Sequence, residues 1–343
     1  MMTRYIPFVV ISFMMLGFVL PHQIQFTIHA DDNVADVLEE LGELKINVPD
    51  PSIKGASAEK GRQIIFDGRS KDRDDKRMTR LQSPYFKCIS CHNTTEEYKS
   101  LIHISAEDKL DQSIKTGQPF LQASTFYGIV NRKTFYNDDY QSKYAGVPLI
   151  KESHTDIRSA IQLCATQCAQ GRELADWEVE SVLAYFWELQ LKMNDLELDD
   201  KSMESIQSAI NSKEGKNEAI QLIRSKYIDY SPAHFVKPIS FDEVDFNEMT
   251  EDDLKKGEAL FTLSCLHCHK NKSYSFFNLG KTKNTMRFLL NKTKQGAYHS
   301  VYNISRNGTY SLNGKKSYMP QYSTEKMSNQ QLRQLVYFIK ESK

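Results

Sequence analysis

The chain has 343 residues, with 44 basic and 44 acidic side chains, so its formal net charge is zero. That length suits two small domains and a connection better than a single domain. Neutral overall balance and the lack of any recognition motif exclude nucleic acid as an expected partner.

At the N-terminus, Arg4 precedes an apolar run from Tyr5 to Leu20, and no acidic residue occurs before Asp31. A positive start, a short apolar stretch and a small residue at Ile28-His29-Ala30 read as an export signal over 1–30, placing the mature chain in the periplasm. The run is short for a membrane span. The alternative is an uncleaved segment, which would associate the chain with a membrane.

Residues 31–56 read as a leader with an amphipathic helix from Val34 to Leu44 and a break at Pro49-Asp50-Pro51. A first domain is expected over 57–193 and a second over 250–343. Between them, 194–249 reads as a charged, partly helical linker, with helical stretches at Met203 to Ala209 and Glu218 to Tyr227. The two domains share a plan. Ala58-Glu-Lys-Gly61 in the first and Leu254-Lys-Lys-Gly257 in the second open amphipathic helices whose glycine allows another helix to approach closely. Each domain closes with an amphipathic helix, one through Trp177, Val182, Phe186 and Leu189, the other from the N-cap Ser328 through Leu332, Leu335 and Ile339. Almost nothing alternates with a strand period, so the fold is expected to be mainly α.

Four of the six cysteines lie in Cys88-Ile-Ser-Cys91-His92 and Cys265-Leu-His-Cys268-His269. Two thiols closed by a histidine suit covalent attachment of haem, with the imidazole reaching the iron from the proximal side. Two haem c groups are therefore expected, held by Cys88, Cys91 and His92 and by Cys265, Cys268 and His269. A four-cysteine zinc site would leave both histidines unexplained. His267, inside the second motif, reads as a spacer.

The second domain resembles a class I cytochrome c along its whole length, on Ser317-Tyr318-Met319-Pro320-Gln321-Tyr322 and the last helix. The resemblance implies tandem class I cytochrome c-like domains and Met319 as distal thioether of the second haem, with Met286 and Met327 as alternatives. In place of the family's Gly-Pro-x-Leu stands Phe276-Phe277-Asn278-Leu279-Gly280, so the partner of His269 stays open.

The first domain has no methionine between His92 and Met193. Its distal candidates are His103, His154, Cys164 and Cys168. Met319 lies nine positions before Ser328, and the equivalent place before Ala175 is Thr166, between the two cysteines. The segment Ile161-Gln-Leu-Cys164 to Ala184-Tyr185 also resembles the distal-cysteine segment of thiosulfate dehydrogenases and Sox haem subunits, which implies Cys164 as iron ligand. Cys164 and Cys168 stand i, i+4, poor spacing for a disulfide on a regular helix unless the helix ends there.

Charge is uneven: 250–343 holds 16 basic and 6 acidic residues, whereas 31–249 holds 27 basic and 38 acidic. A basic second domain suits docking of an acidic redox partner protein. The expected function is electron transfer between a donor and an acceptor through two haems. The rival is a thiosulfate-oxidising enzyme with Cys164 at the active haem and Arg132 or Arg158 holding the oxyanion.

Overall fold

The computed structural model describes residues 26–212, 214–276, 278–295, 298–310 and 315–343. The apolar N-terminal run and Phe277 lie outside them. The described residues form thirteen α-helices and no strand beyond two isolated bridges. No described helix is long and apolar enough to cross a membrane.

Two helix crossings organise the chain. Helix α2 (Ala58–Asp67) packs on α6 (Asp176–Glu188), and α9 (Glu251–Leu260) packs on α13 (Asn329–Glu341). The N-caps are local: Ser57 accepts from the Lys60 amide, and Ser328 and Gln331 form a reciprocal capping box. The glycines stand where the helices touch. A Cβ on Gly61 would lie 1.9 Å from the Ser181 carbonyl oxygen, and one on Gly257 would lie 2.1 Å from that of Gln334. Around the first crossing the core is Ile64, Ile65, Val182, Leu183 and Phe186; around the second it is Leu260, Phe261, Leu335, Val336 and Ile339.

The remaining helices are α1 (Val34–Glu40), α3 (Ala106–Thr116), α4 (Asp138–Lys143), α5 (Ile157–Leu163), α7 (Asp200–Ser212), α8 (Lys216–Arg224), α10 (Leu266–His269), α11 (Lys283–Lys294) and α12 (Val301–Asn307). The leader and the linker pack on each other: Val34, Val37 and Leu38 of α1 share a core with Ile206 and Ile210 of α7 and Ile223 of α8. Arg224 pairs with Glu43 at 2.5 Å, and the Lys216 ammonium donates to the Glu40 carbonyl. Three short amphipathic helices cannot each leave an apolar stripe in water, and they cover one another.

The two crossings are joined by polar and apolar contacts. Leu110 of α3 and Phe120 enter the core around Phe261. The Phe120 amide donates to Leu263, Tyr322 Oη donates to the Phe120 carbonyl, and Gln331 Nε2 donates to Ala106. At this junction Glu97 (1% exposed), Lys109 (0%) and Lys326 (3%) are buried together.

Candidate functional site

The first motif begins as a short 3-10 turn, Cys88–Ser90, and the His92 amide donates back to the Cys88 carbonyl. Its ring is fixed on both counts that matter for a ligand. Nδ1 lies 2.6 Å from the Ser124 carbonyl oxygen, which leaves Nε2 for a metal. The ring also stacks on Phe126, with centroids 4.3 Å apart. Burial pushes the imidazole down to about 4, so it is neutral at ordinary pH, the form that binds metal.

A cavity of about 180 Å³ has Cys88, Cys91, His92, Cys164 and Cys168 among its walls. Cys164 Sγ lies 3.9 Å from His92 Nε2. The cysteines reach it because α5 changes pitch: Cys164–Cys168 is a π turn, closed by the Ala169 amide donating to the Cys164 carbonyl at 2.8 Å. The helix then stops at Gln170, whose φ is 56°. Single π turns of this kind concentrate at functional sites.

Sequence reasoning missed the surroundings of Cys168. Tyr144 Oη lies 3.5 Å and Tyr136 Oη 3.8 Å from its sulfur, and Lys143 rests over the rings of Tyr144 and Tyr310. The thiol of Cys164, the two phenols and the Lys143 ammonium hold the Cys168 thiol below its usual range against the opposing effect of burial. The signal was the four-residue spacing of Tyr136, Tyr140 and Tyr144, which places three phenols along the α4 region.

The second motif follows another π turn, Phe261–Cys265, and ends α10 at His269. Cys265, Cys268, His269, Met319 and Pro320 line a second cavity of about 520 Å³. Met319 is pinned through its backbone: the Thr309 amide donates to its carbonyl at 2.9 Å, and its own amide donates to Thr309 Oγ1 at 2.8 Å. Gly308, at φ 64°, makes room; a Cβ there would lie 2.7 Å from the Met319 oxygen. Phe86, Gln122, Tyr318 and Pro320 line both cavities, so the two sites are neighbours.

Several alternatives fall away from these cavities. Met286 (0% exposed) and Met327 (1%) are packed in the core. His103 is exposed, and His154 Nδ1 is held by the Tyr136 carbonyl at 2.7 Å; neither lines the first cavity. Thr166 turns its hydroxyl back to Gln162, which leaves the flanking cysteines as the cavity residues. Arg132 lines the first cavity, but Arg158 does not: its guanidinium is bound by Glu180, with Nε 2.5 Å from the carboxylate. His267 lies against the backbone of Ile89 and Ser90 in the first motif.

The donor set, two cysteine thiols beside an imidazole on a cavity wall with a sulfur donor lining the same cavity, fits a covalently attached haem at both places. Residues 252–339 match the family model described as Cytochrome C oxidase, cbb3-type, subunit III. The chain therefore carries a c-type cytochrome domain, with haem c as cofactor and electron transfer as its chemistry. Comparison with curated proteins and with solved structures gives no match.

Proposed function

We propose that the chain is a periplasmic dihaem cytochrome c that carries electrons from a donor, through a first haem on Cys88, Cys91 and His92, to a second on Cys265, Cys268 and His269, and on to an acceptor. The observation that carries this reading is the 3.9 Å between His92 Nε2 and Cys164 Sγ. Metal bonds of about 2.0 Å to imidazole nitrogen and about 2.3 Å to thiolate sulfur add up to a gap only slightly wider. In this reading Cys164 takes at the first Cys-x-x-Cys-His motif the role that Met319 takes at the second, each lining the cavity of its own motif. Thiolate stabilises ferric iron, and a His/Met pair raises the potential, so electrons run from the first haem to the second. The basic surplus of 250–343 suits an acidic acceptor protein.

Attachment is tested by mass and pyridine haemochrome analysis. Replacing Cys88 and Cys91 with Ala should leave one haem per chain; two surviving haems would overturn the first site. Ligation is tested by spectroscopy and redox titration of single variants. Cys164→Ala should remove a thiolate-ligated low-spin ferric signal and raise the lower potential alone. Met319→Ala should remove a methionine-to-iron charge-transfer band and lower the higher potential alone. A low-potential haem unchanged by Cys164→Ala would sink the assignment.

A further inference from the structure

After the two motifs take four cysteines, the remaining two meet in the first cavity. Cys164 and Cys168 both line its wall, and neither is in a disulfide. An i, i+4 pair on an ordinary helix points its sulfurs poorly for a bond. This pair does not sit on an ordinary helix: a π turn carries it, and the helix ends at Gln170.

The two sulfurs have different surroundings. Cys164 faces His92 Nε2, whereas Cys168 faces the hydroxyls of Tyr144 and Tyr136, with Lys143 over the neighbouring rings. With Cys164 held by iron, Cys168 is the sulfur free to act as a nucleophile, and it has proton donors around it.

We propose that Cys164 and Cys168 form a reversible oxidation site for hydroperoxides, in which a disulfide forms and Cys164 leaves the first haem. Its ligand-release half rests on the proposed ligation by Cys164. In the first step the Cys168 sulfur attacks hydrogen peroxide. The O–O bond breaks, a sulfenic acid forms, and the departing hydroxide takes a proton and leaves as water. Tyr136, Tyr144 and Lys143 stand where that proton is needed. In the second step the Cys164 thiolate, released from iron, attacks the sulfenic sulfur, the S–O bond breaks, and the departing hydroxide takes a proton from solvent and leaves as a second water. Overall the Cys168 thiol, the Cys164 thiolate, one peroxide and one proton give one disulfide and two waters, with sulfur oxidised and peroxide reduced.

The test uses the purified holo-protein with one equivalent of hydrogen peroxide, followed by unfolding in iodoacetamide and peptide mass spectrometry. Untreated protein should carry label on both Cys164 and Cys168. Treated protein should carry label on neither, lose the thiolate-ligated ferric signal, and regain both on reduction with dithiothreitol. Cys168→Ser should keep that signal after peroxide. Both cysteines still labelled after treatment would overturn the proposal. Loss of label with an unchanged haem signal would keep the disulfide, reject release of the ligand, and show that Cys164 does not bind the iron.

Discussion

Glu97→Gln should destabilise the protein by about 3–5 kcal/mol, the range for removing one partner of a buried ion pair. Among the described residues, Glu97 alone pairs its carboxylate with both buried ammoniums: Lys109 Nζ lies 3.3 Å and Lys326 Nζ 3.2 Å from its oxygens. Asn93 Nδ2 donates to it as well, at 2.8 Å. Glutamine keeps the shape but strands two cations away from water. Lys109→Met should cost far less, because it leaves one carboxylate facing one ammonium. Lys109 is the strained member: burial pushes it down to about 7, whereas Lys326, which also donates to Tyr98 Oη at 2.9 Å, is held above its ordinary value by Glu97 and Tyr98 despite burial. Chemical denaturation followed by circular dichroism measures both variants. Equal losses for Glu97→Gln and Lys109→Met would contradict the pairing.

The same carboxylate sets an acid limit. Burial alone would raise Glu97, but the two ammoniums and Asn93 outweigh it and hold the group at about 2, below its ordinary 4.5. In that window the unfolded chain binds the extra proton, so stability from this group is complete above about 4.5 and is lost as pH falls toward 2.

The sequence made some of this legible and hid the rest for physical reasons. The attachment motifs are local: thiols and imidazole sit within five residues, so spacing alone defines the chemistry. Gly61 and Gly257 were readable because a glycine inside a helix needs a reason, and close approach is the usual one. The packing of α1 on α7 and α8 was not readable, since amphipathic periodicity says that a face is covered and not by what. The Glu97, Lys109 and Lys326 cluster was invisible for a related reason. Its members are scattered along the chain, and charged residues are ordinarily solvated. At Cys164 and Cys168, the sequence left ligand and disulfide readings open. The π turn, which brings both to the wall of the first cavity, was not readable from the sequence.

Gly61→Ala should lower the melting temperature sharply, and Gly257→Ala should do the same. Alanine ordinarily favours a helix over glycine by about 1 kcal/mol, so propensity alone predicts a stabilised protein. At Gly61, however, the new methyl would stand 1.9 Å from the Ser181 oxygen and 2.5 Å from its carbonyl carbon. At Gly257 it would stand 2.1 Å from the Gln334 oxygen and 2.7 Å from its carbon. These are backbone atoms of the partner helix, so no side-chain rotation relieves the clash. The helices must separate, and the core around Ile65 and Val182, or around Leu260 and Val336, loses contact along the whole crossing. Overpacking of this sort costs about 1–3 kcal/mol and more where backbone must move, which exceeds the propensity gain. Gly280 is the control, because a Cβ there meets nothing nearer than Thr282 Cγ2 at 3.9 Å. Differential scanning calorimetry of the three variants separates the cases. A Gly61→Ala protein that melts with or above the parent would mean that α2 and α6 do not cross at this residue.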